Sequence, residues 1–398
     1  MLEKALIGDK KYWTWLFALM AVMAVGLLCY LRQFSEGLGV TGLGRDVTWG
    51  FYIAQFTFMV GVAASAVMVV LPYYLHNFKQ FSKITILGEF VAIPSVIVCM
   101  LFIFVDMGQP LRVLNVPLHP TLNSMMFWDF MSLGGYLALN LIIGWTTLSS
   151  ERKGIAPPKW IKPFIILSIP WAISIHTVTA FLYSGLAARP FWMTAVLAPR
   201  FLASAFSAGP ALLILFCLIL RKITKFDAGN EAIKKLATIV TYAMCVNIFL
   251  VLMEVFTAVY SGIPEHLEHF KFMFLGLEGN NSMVAWMWTS SILGVVSLIL
   301  LLVPKLRAST KVLAVACVLV FSSLWIDKGM ALIVAGFTPS VLGSVPTYIP
   351  TLTELGIVAG VYALGLFIVT LLYQTALGVR GDIPVSRIKG EEAAVAAK

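Results

Sequence analysis

Residues 84–106 read ITILGEFVAIPSVIVCMLFIFVD. From Ile84 to Val105 the run holds a single ionisable group, Glu89. Wound as a helix it is about 33 Å long, enough to cross a hydrocarbon core of roughly 30 Å. The apolar residues are continuous rather than alternating, so a lipid-facing barrel strand does not fit. Outward from this stretch similar runs recur in both directions. They place ten helices at roughly 13–31, 50–75, 84–105, 127–148, 161–185, 199–220, 236–261, 283–303, 312–334 and 353–379. The first run follows Lys10 and Lys11 as a signal peptide would, but no small-residue cleavage site follows it, and it is expected to stay as a helix.

Composition agrees with the pattern. Of 398 residues, 60% are hydrophobic and 12% are Asp, Glu, Lys or Arg, against about 25% charged in soluble domains. The fold class expected is therefore an all-α polytopic membrane protein. The formal charge of +9 does not call for nucleic acid, because basic residues mark cytoplasmic loops in such chains. Of the 28 Lys and Arg, 21 fall in the N-terminus, the linkers after helices 2, 4, 6 and 8, and the tail beyond helix 10. The positive-inside rule then puts both termini on the cytoplasmic side.

In-span ionisable groups are costly and usually functional or paired. Glu89 lies near the cytoplasmic end of helix 3 and Asp106 closes its outer end. Asp129 opens helix 4 and Arg200 opens helix 6. His176 lies in helix 5, Glu254 in helix 7, and Asp327 and Lys328 interrupt helix 9. Most of these sit towards the outer half, so a reaction centre is expected there. Each also has a plainer reading. Asp106 and Arg112 would pair at a helix end, His176 would be an interhelical hydrogen-bonder, Asp327–Lys328 would neutralise each other, and Trp49 and Tyr52 would be interface aromatics. His119, His266 and His269 are expected in solvated outer linkers.

The five histidines also bear on cofactors. A membrane haem b takes axial histidines from helices, and only His176 lies well inside a span, so no haem is expected in this chain. Cys29, Cys99, Cys217, Cys245 and Cys317 are scattered through apolar runs without CxxC spacing, so neither an iron–sulfur cluster nor a metal site is expected. A quinone needs an apolar pocket, two polar contacts and an exchange of two protons. Asp106, Asp129 and His176 near the outer face meet those needs, with Tyr52 as a further donor. Electrons would come from partners.

At this point the sequence resembles the NrfD/PsrC family of quinone-interacting membrane subunits. The resemblance rests on WGFYIAQF at 49–56, Glu89, DMGQPLR at 106–112, HTVTAFLYSGLAARPFW at 176–192, APRFLASAFSAGPA at 198–211, Glu254 and WIDKGMALIVAGFTPS at 325–340. Within the family it is most similar to the DsrP subfamily of DsrMKJOP complexes. The resemblance implies one membrane domain over 1–398. It would comprise a first helix and outer linker (1–48), a four-helix bundle of helices 2–5 (49–185), a second of helices 6–9 (186–335), and a last helix with a cytoplasmic tail (336–398). It implies a menaquinone or menaquinol site in the first bundle near the outer face of the inner membrane. Carried over residue by residue, Asp106 and His176 are the catalytic candidates, with Tyr52 and Asp129 as further quinone contacts. Glu89, Glu254, Asp327 and Lys328 serve proton transfer or structure. Implied partners are a periplasmic ferredoxin-like iron–sulfur subunit, a multihaem cytochrome, a membrane haem b subunit and a cytoplasmic iron–sulfur subunit, acting in dissimilatory sulfur metabolism. Two rival functions stand beside this one: a proton- or ion-translocating transporter-like subunit built on Glu254 and the break at Asp327, and a passive membrane anchor for redox partners.

Overall fold

The computed structural model describes residues 2–76 and 78–382. Ten helices are long and apolar enough to cross a membrane, and the chain is a multi-pass integral membrane protein. They are α1 (Lys10–Glu36), α2 (Phe51–Leu75), α3 (Lys79–Asp106), α4 (Met125–Lys153), α5 (Ile161–Ser184), α6 (Leu197–Ile223), α7 (Asn230–Ser261), α8 (Val284–Leu302), α9 (Thr310–Phe337) and α10 (Leu352–Arg380). All ten expected spans are present. The largest boundary difference is at α7, which begins six residues before the apolar run does. Its first turns, NEAIKK, are polar and amphipathic rather than apolar.

Local sequence explains several of the ends. Asp9 caps α1 by accepting from the Tyr12 amide at 2.9 Å. Thr351 and Glu354 form a reciprocal capping box at the start of α10. α1 lies along α10 at close range, because a Cβ on Gly26 would fall 2.6 Å from the Gly360 Cα. Glycine at both positions lets the two backbones touch.

Hydrogen bonds between helix ends define two faces. At one, Arg380 pairs with Glu151 at 2.9 Å and donates to the Lys83 carbonyl at 2.6 Å, joining α10, α4 and α3. This is the basic end, where the linkers richest in Lys and Arg lie. At the other, acidic end, Gln33 near the close of α1 donates to the Val105 carbonyl near the close of α3, at 2.6 Å. The basic tail counted in the sequence lies, from residue 383, outside the described residues.

α2 is the hub. Phe51–Ala66 is buried on every side, as an apolar helix with no polar stripe requires. It packs against α3, α6 and α9. Small residues allow the approach: a Cβ on Gly209 of α6 would come within 2.9 Å of Ser65. α9 is broken. It is α-helical to Leu324, π-helical over Trp325–Ala331, and α-helical again to Phe337. Its π segment rests on α2, with Gly329 directly over the Ala54 carbonyl.

Candidate functional site

Three polar groups lie in the half of the helices nearer the acidic end, and a fourth lies nearer the basic end. The first group joins α1, α2 and α3. Tyr52 is buried and donates to Gln33 Oε1 at 2.6 Å, so it is not an interface aromatic. Asp106 Oδ1 and Tyr30 Oη are buried and have no hydrogen-bond partner. Asp106 forms no ion pair with Arg112 among the described residues, which removes the helix-end pairing considered above. A crevice of about 350 Å³ opens beside them, between Gln33 and Phe34 of α1 and the loop Met107–Leu111.

Surrounding bonds hold this corner in place. Tyr348 donates to Glu354 Oε1 at 2.6 Å and accepts from the Phe51 amide at 2.6 Å. The other Glu354 oxygen accepts from the amides of Gly42 and Thr351 at 2.7 and 2.8 Å. Burial, and then the Glu354 carboxylate, push the Tyr348 phenol above its ordinary range, so it stays a neutral donor. Both acidic-end linkers next to α2 are thereby pinned to α10.

The second group surrounds His176. This side chain has no exposed surface, and neither ring nitrogen has a partner. One turn further along α5, Thr179 donates to Asp129 Oδ1 at 2.7 Å. One turn beyond that, Tyr183 shares a short hydrogen bond with Thr57 of α2. That bond ties α5 to α2. Lys328 comes in from the π segment of α9, near enough for its charge to act on His176. Its Nζ lies over the Phe201 ring at 4.3 Å and over Gly61, where a Cβ would approach it to 3.2 Å. Tyr183, Trp192, Trp49 and Phe337 continue the aromatic wall.

The third group belongs to α6, α7 and α9. Arg200 pairs with Glu254 at 2.5 Å and with Asp327 at 2.7 Å. Asp327 and Lys328 are therefore not a self-neutralising pair. Adjacent residues on a helix point to different sides, and here one turns to Arg200 and the other to α2. A cavity of about 20 Å³ borders Arg200 and Asp327, large enough for one water.

Glu89 stands alone, 17 residues from Asp106 on α3 and so about 26 Å from it. Its Oε2 is buried and unpartnered, facing Gly144 of α4. Another expectation fails at the acidic end. His269 is not solvated: it lies on the short helix Pro264–Phe274, is 3% exposed, and its Nδ1 meets the carbonyls of Ala335 and Thr338 at 2.7 and 2.9 Å. Among the described residues no group of three or more His, Cys, Asp or Glu is placed to hold a metal ion.

The structure thus brings Tyr52 near Asp106 and His176 near Lys328, holds Asp129 on Thr179 one turn along from His176, and joins Glu254 with Asp327 through Arg200, while Glu89 is apart. Sequence reading noted Thr179 and Tyr183 beside His176, but did not single out Gln33, Arg200 as a bridging group, or the bonds that Glu354 makes. Only Glu354 carried a local signal, the T-x-x-E spacing of a capping box. As a quinone pocket, the first group offers an unpaired buried carboxyl, a phenol and an amide beside an open crevice. The crevice itself is lined by Tyr30, Gln33 and Phe34 and by Met107–Leu111; Tyr52 and Asp106 lie behind that lining, and His176 is apart from it, with no hydrogen bond to Asp129, Thr179 or Tyr183 among the described residues.

Ten apolar crossings enclosing buried, partly unpaired polar groups define an integral membrane protein with an intramembrane polar site. The chain belongs to the NrfD family: the model described as "Polysulphide reductase, NrfD" matches residues 39–338. Among its relatives, the membrane component of a putative dimethyl sulfoxide reductase of Halobacterium salinarum is 27% identical, with 89% of each chain covered. The Hdr-like menaquinol oxidoreductase integral membrane subunit of Archaeoglobus fulgidus is 24% identical over 76% of this chain and 74% of its own. The menaquinone reductase integral membrane subunit of Nitratidesulfovibrio vulgaris is 23% identical over 92% and 91%.

Proposed function

We propose that this chain is the quinone-reactive membrane subunit of a multi-subunit redox complex, exchanging electrons between the menaquinone pool and iron–sulfur or haem partner subunits. The observation that carries the reading is the unpartnered Asp106 carboxyl oxygen beside the crevice at the acidic end, next to Tyr52 and Gln33. An orphaned buried oxygen is costly, and a ligand group or proton handled there would account for it. The names of the relatives from Archaeoglobus and Nitratidesulfovibrio agree with a menaquinone substrate. Tyr30, Phe34, Met107 and Pro110 of the crevice lining would take the quinone ring, and Tyr30 and Gln33 stand between it and the Tyr52 and Asp106 behind them.

Reduction or oxidation of the quinone moves two protons with two electrons. Asp106 holds one proton at the crevice. His176, a buried imidazole with both ring nitrogens unpartnered, supplies or accepts the other. The basic end faces the cytoplasm by its charge, which puts this site on the periplasmic side of the inner membrane. A ferredoxin-like iron–sulfur subunit docks there. With a multihaem cytochrome, a membrane haem b subunit and a cytoplasmic iron–sulfur subunit, it makes up a DsrMKJOP-like assembly in dissimilatory sulfur metabolism.

The test uses the intact complex with Asp106→Asn and His176→Ala. Quenching by a quinone analogue and quinol-dependent electron transfer are measured for each. Loss of analogue binding in the first and of turnover in both supports the reading, whereas two variants like the wild type sink it. The π-helical break and Glu89 favour a second reading, in which protons also move through the chain from the basic end. Proteoliposomes carrying Glu89→Gln would then keep quinone turnover and lose proton uptake.

A further inference from the structure

We propose that the groove at the basic end between α1, α6 and α10 is a binding site for one anionic phospholipid, separate from the quinone site. The groove has a volume of about 600 Å³, within the roughly 300–1,000 Å³ usual for small-ligand clefts. Its walls are apolar, with Phe216 and Ile219 from α6 facing Leu366 and Val369 from α10. From Leu366 to Leu377 it follows α10 for about 17 Å, the depth of one leaflet of a hydrocarbon core roughly 30 Å thick. An acyl chain matches that length and chemistry.

The rim supplies the charge. Lys11 at the start of α1 and Lys222 at the end of α6 both line the groove, and among the described residues neither enters an ion pair. The polar groups beside them are engaged. Asp9 caps α1 through the Tyr12 amide. Trp15 Nε1 donates to Thr370 at 3.3 Å, and Gln374 donates to the Ile7 carbonyl at 2.6 Å. Two ammonium groups above an apolar slot, at the membrane face already richest in Lys and Arg, select a phosphate carried on a lipid. Basic pockets between helices on the cytoplasmic side recognise anionic headgroups in this way. Trp15 and Tyr12 at the mouth have the amphipathic character of interface residues. The bound lipid would lock α1, whose contacts with the rest of the chain are mainly to α10.

The full chain in its complex, freed of lipid in detergent, is titrated with dioleoylphosphatidylglycerol or dioleoylphosphatidylcholine, and adducts are counted by native mass spectrometry. One tightly retained phosphatidylglycerol is expected, with no equivalent phosphatidylcholine. In Lys11→Gln/Lys222→Gln the affinity falls roughly thirtyfold, and Ile219→Trp, which fills the slot and leaves both lysines, abolishes retention. Wild-type binding of the quinone analogue in both variants shows that each is folded. The proposal is overturned if both variants retain phosphatidylglycerol like the wild type, or if phosphatidylcholine is held equally. It is also overturned if glycerol phosphate alone competes as well as the lipid. Retention seen only after residues 383–398 are removed overturns it too, assigning the groove to the chain's own tail.

Discussion

His176 and Arg200 lie on consecutive helices, both buried and both towards the acidic end, yet their surroundings are opposite. Arg200 is held by two carboxylates on two other helices. His176 has no partner on either nitrogen. A buried polar group left without a partner costs about 1–3 kcal/mol, so nothing structural favours the histidine there. The ion triad has the opposite character: one guanidinium holds both carboxylates, and it joins α6, α7 and α9 where the π segment departs from regular geometry. The satisfied triad braces three helices of the second half of the chain, whereas the unpartnered His176 belongs to the region proposed above to handle protons.

Arg200→Met is the strongest challenge to that contrast. It leaves Glu254 and Asp327 buried without a cation, and breaking a buried pair in this way costs about 3–5 kcal/mol. The expected outcome is a large fall in thermal stability and in yield of folded chain, with most of it recovered in Arg200→Met/Glu254→Gln/Asp327→Asn. A stable Arg200→Met protein that had merely lost turnover would invert the assignment, making the triad the working site.

His176→Ala is expected to behave in the reverse manner. It removes no hydrogen bond to the protein, so the loss of stability is limited to the cavity left by the ring and is well below that of Arg200→Met, while quinol-dependent turnover drops by about 100-fold, as loss of a general acid–base does. A variant that unfolds with turnover per folded molecule unchanged would mean that His176 is packing after all.

This contrast was only half legible in the sequence. The spans were, because apolar runs of membrane length have few other uses. Pairing was not. Arg200 sits three residues into α6 and reads as a helix-opening surface group, but its side chain is buried and meets carboxylates from α7 and α9 that no local spacing connects to it. Asp327 and Lys328 read as neighbours that cancel, whereas the helix sends them to different partners. Gln33 fell beyond the apolar run of the first helix because α1 continues to Glu36 through polar residues. His269 looked solvated in a linker. The fold instead presses the helix carrying it against the end of α9.

Lys328 lies between the two regions, sharing a helix with Asp327 and a neighbourhood with His176. If it belongs with His176, Lys328→Met lowers turnover by about tenfold and leaves the melting temperature unchanged or raised, since no ion pair is lost and a buried amine no longer has to be desolvated. If it braces the triad, the same substitution lowers stability together with Arg200→Met and the two effects are not additive. A double-mutant cycle read by thermal denaturation separates these outcomes.

The smallest effect expected is at His269, a buried histidine that does have partners and so serves as the control for His176. Burial holds its imidazole below the ordinary 6.5, and the bonds from Nδ1–H to the Ala335 and Thr338 carbonyls only partly oppose this. The folded state therefore binds a proton less readily than the unfolded chain. Its contribution to stability is fully present above about pH 6.5 and is lost as pH falls from there towards the depressed folded value, by at most about 1.4 kcal/mol per pH unit. Thermal melts of the wild type between about pH 7.5 and pH 5 should show that loss, and His269→Gln should be flatter over the same window. Equal acid sensitivity in the two proteins would mean that another group titrates there. A flatter profile in His269→Gln with turnover unaltered would show that a partnered buried histidine in this fold is structural, which leaves the unpartnered one as the exception that needs a function.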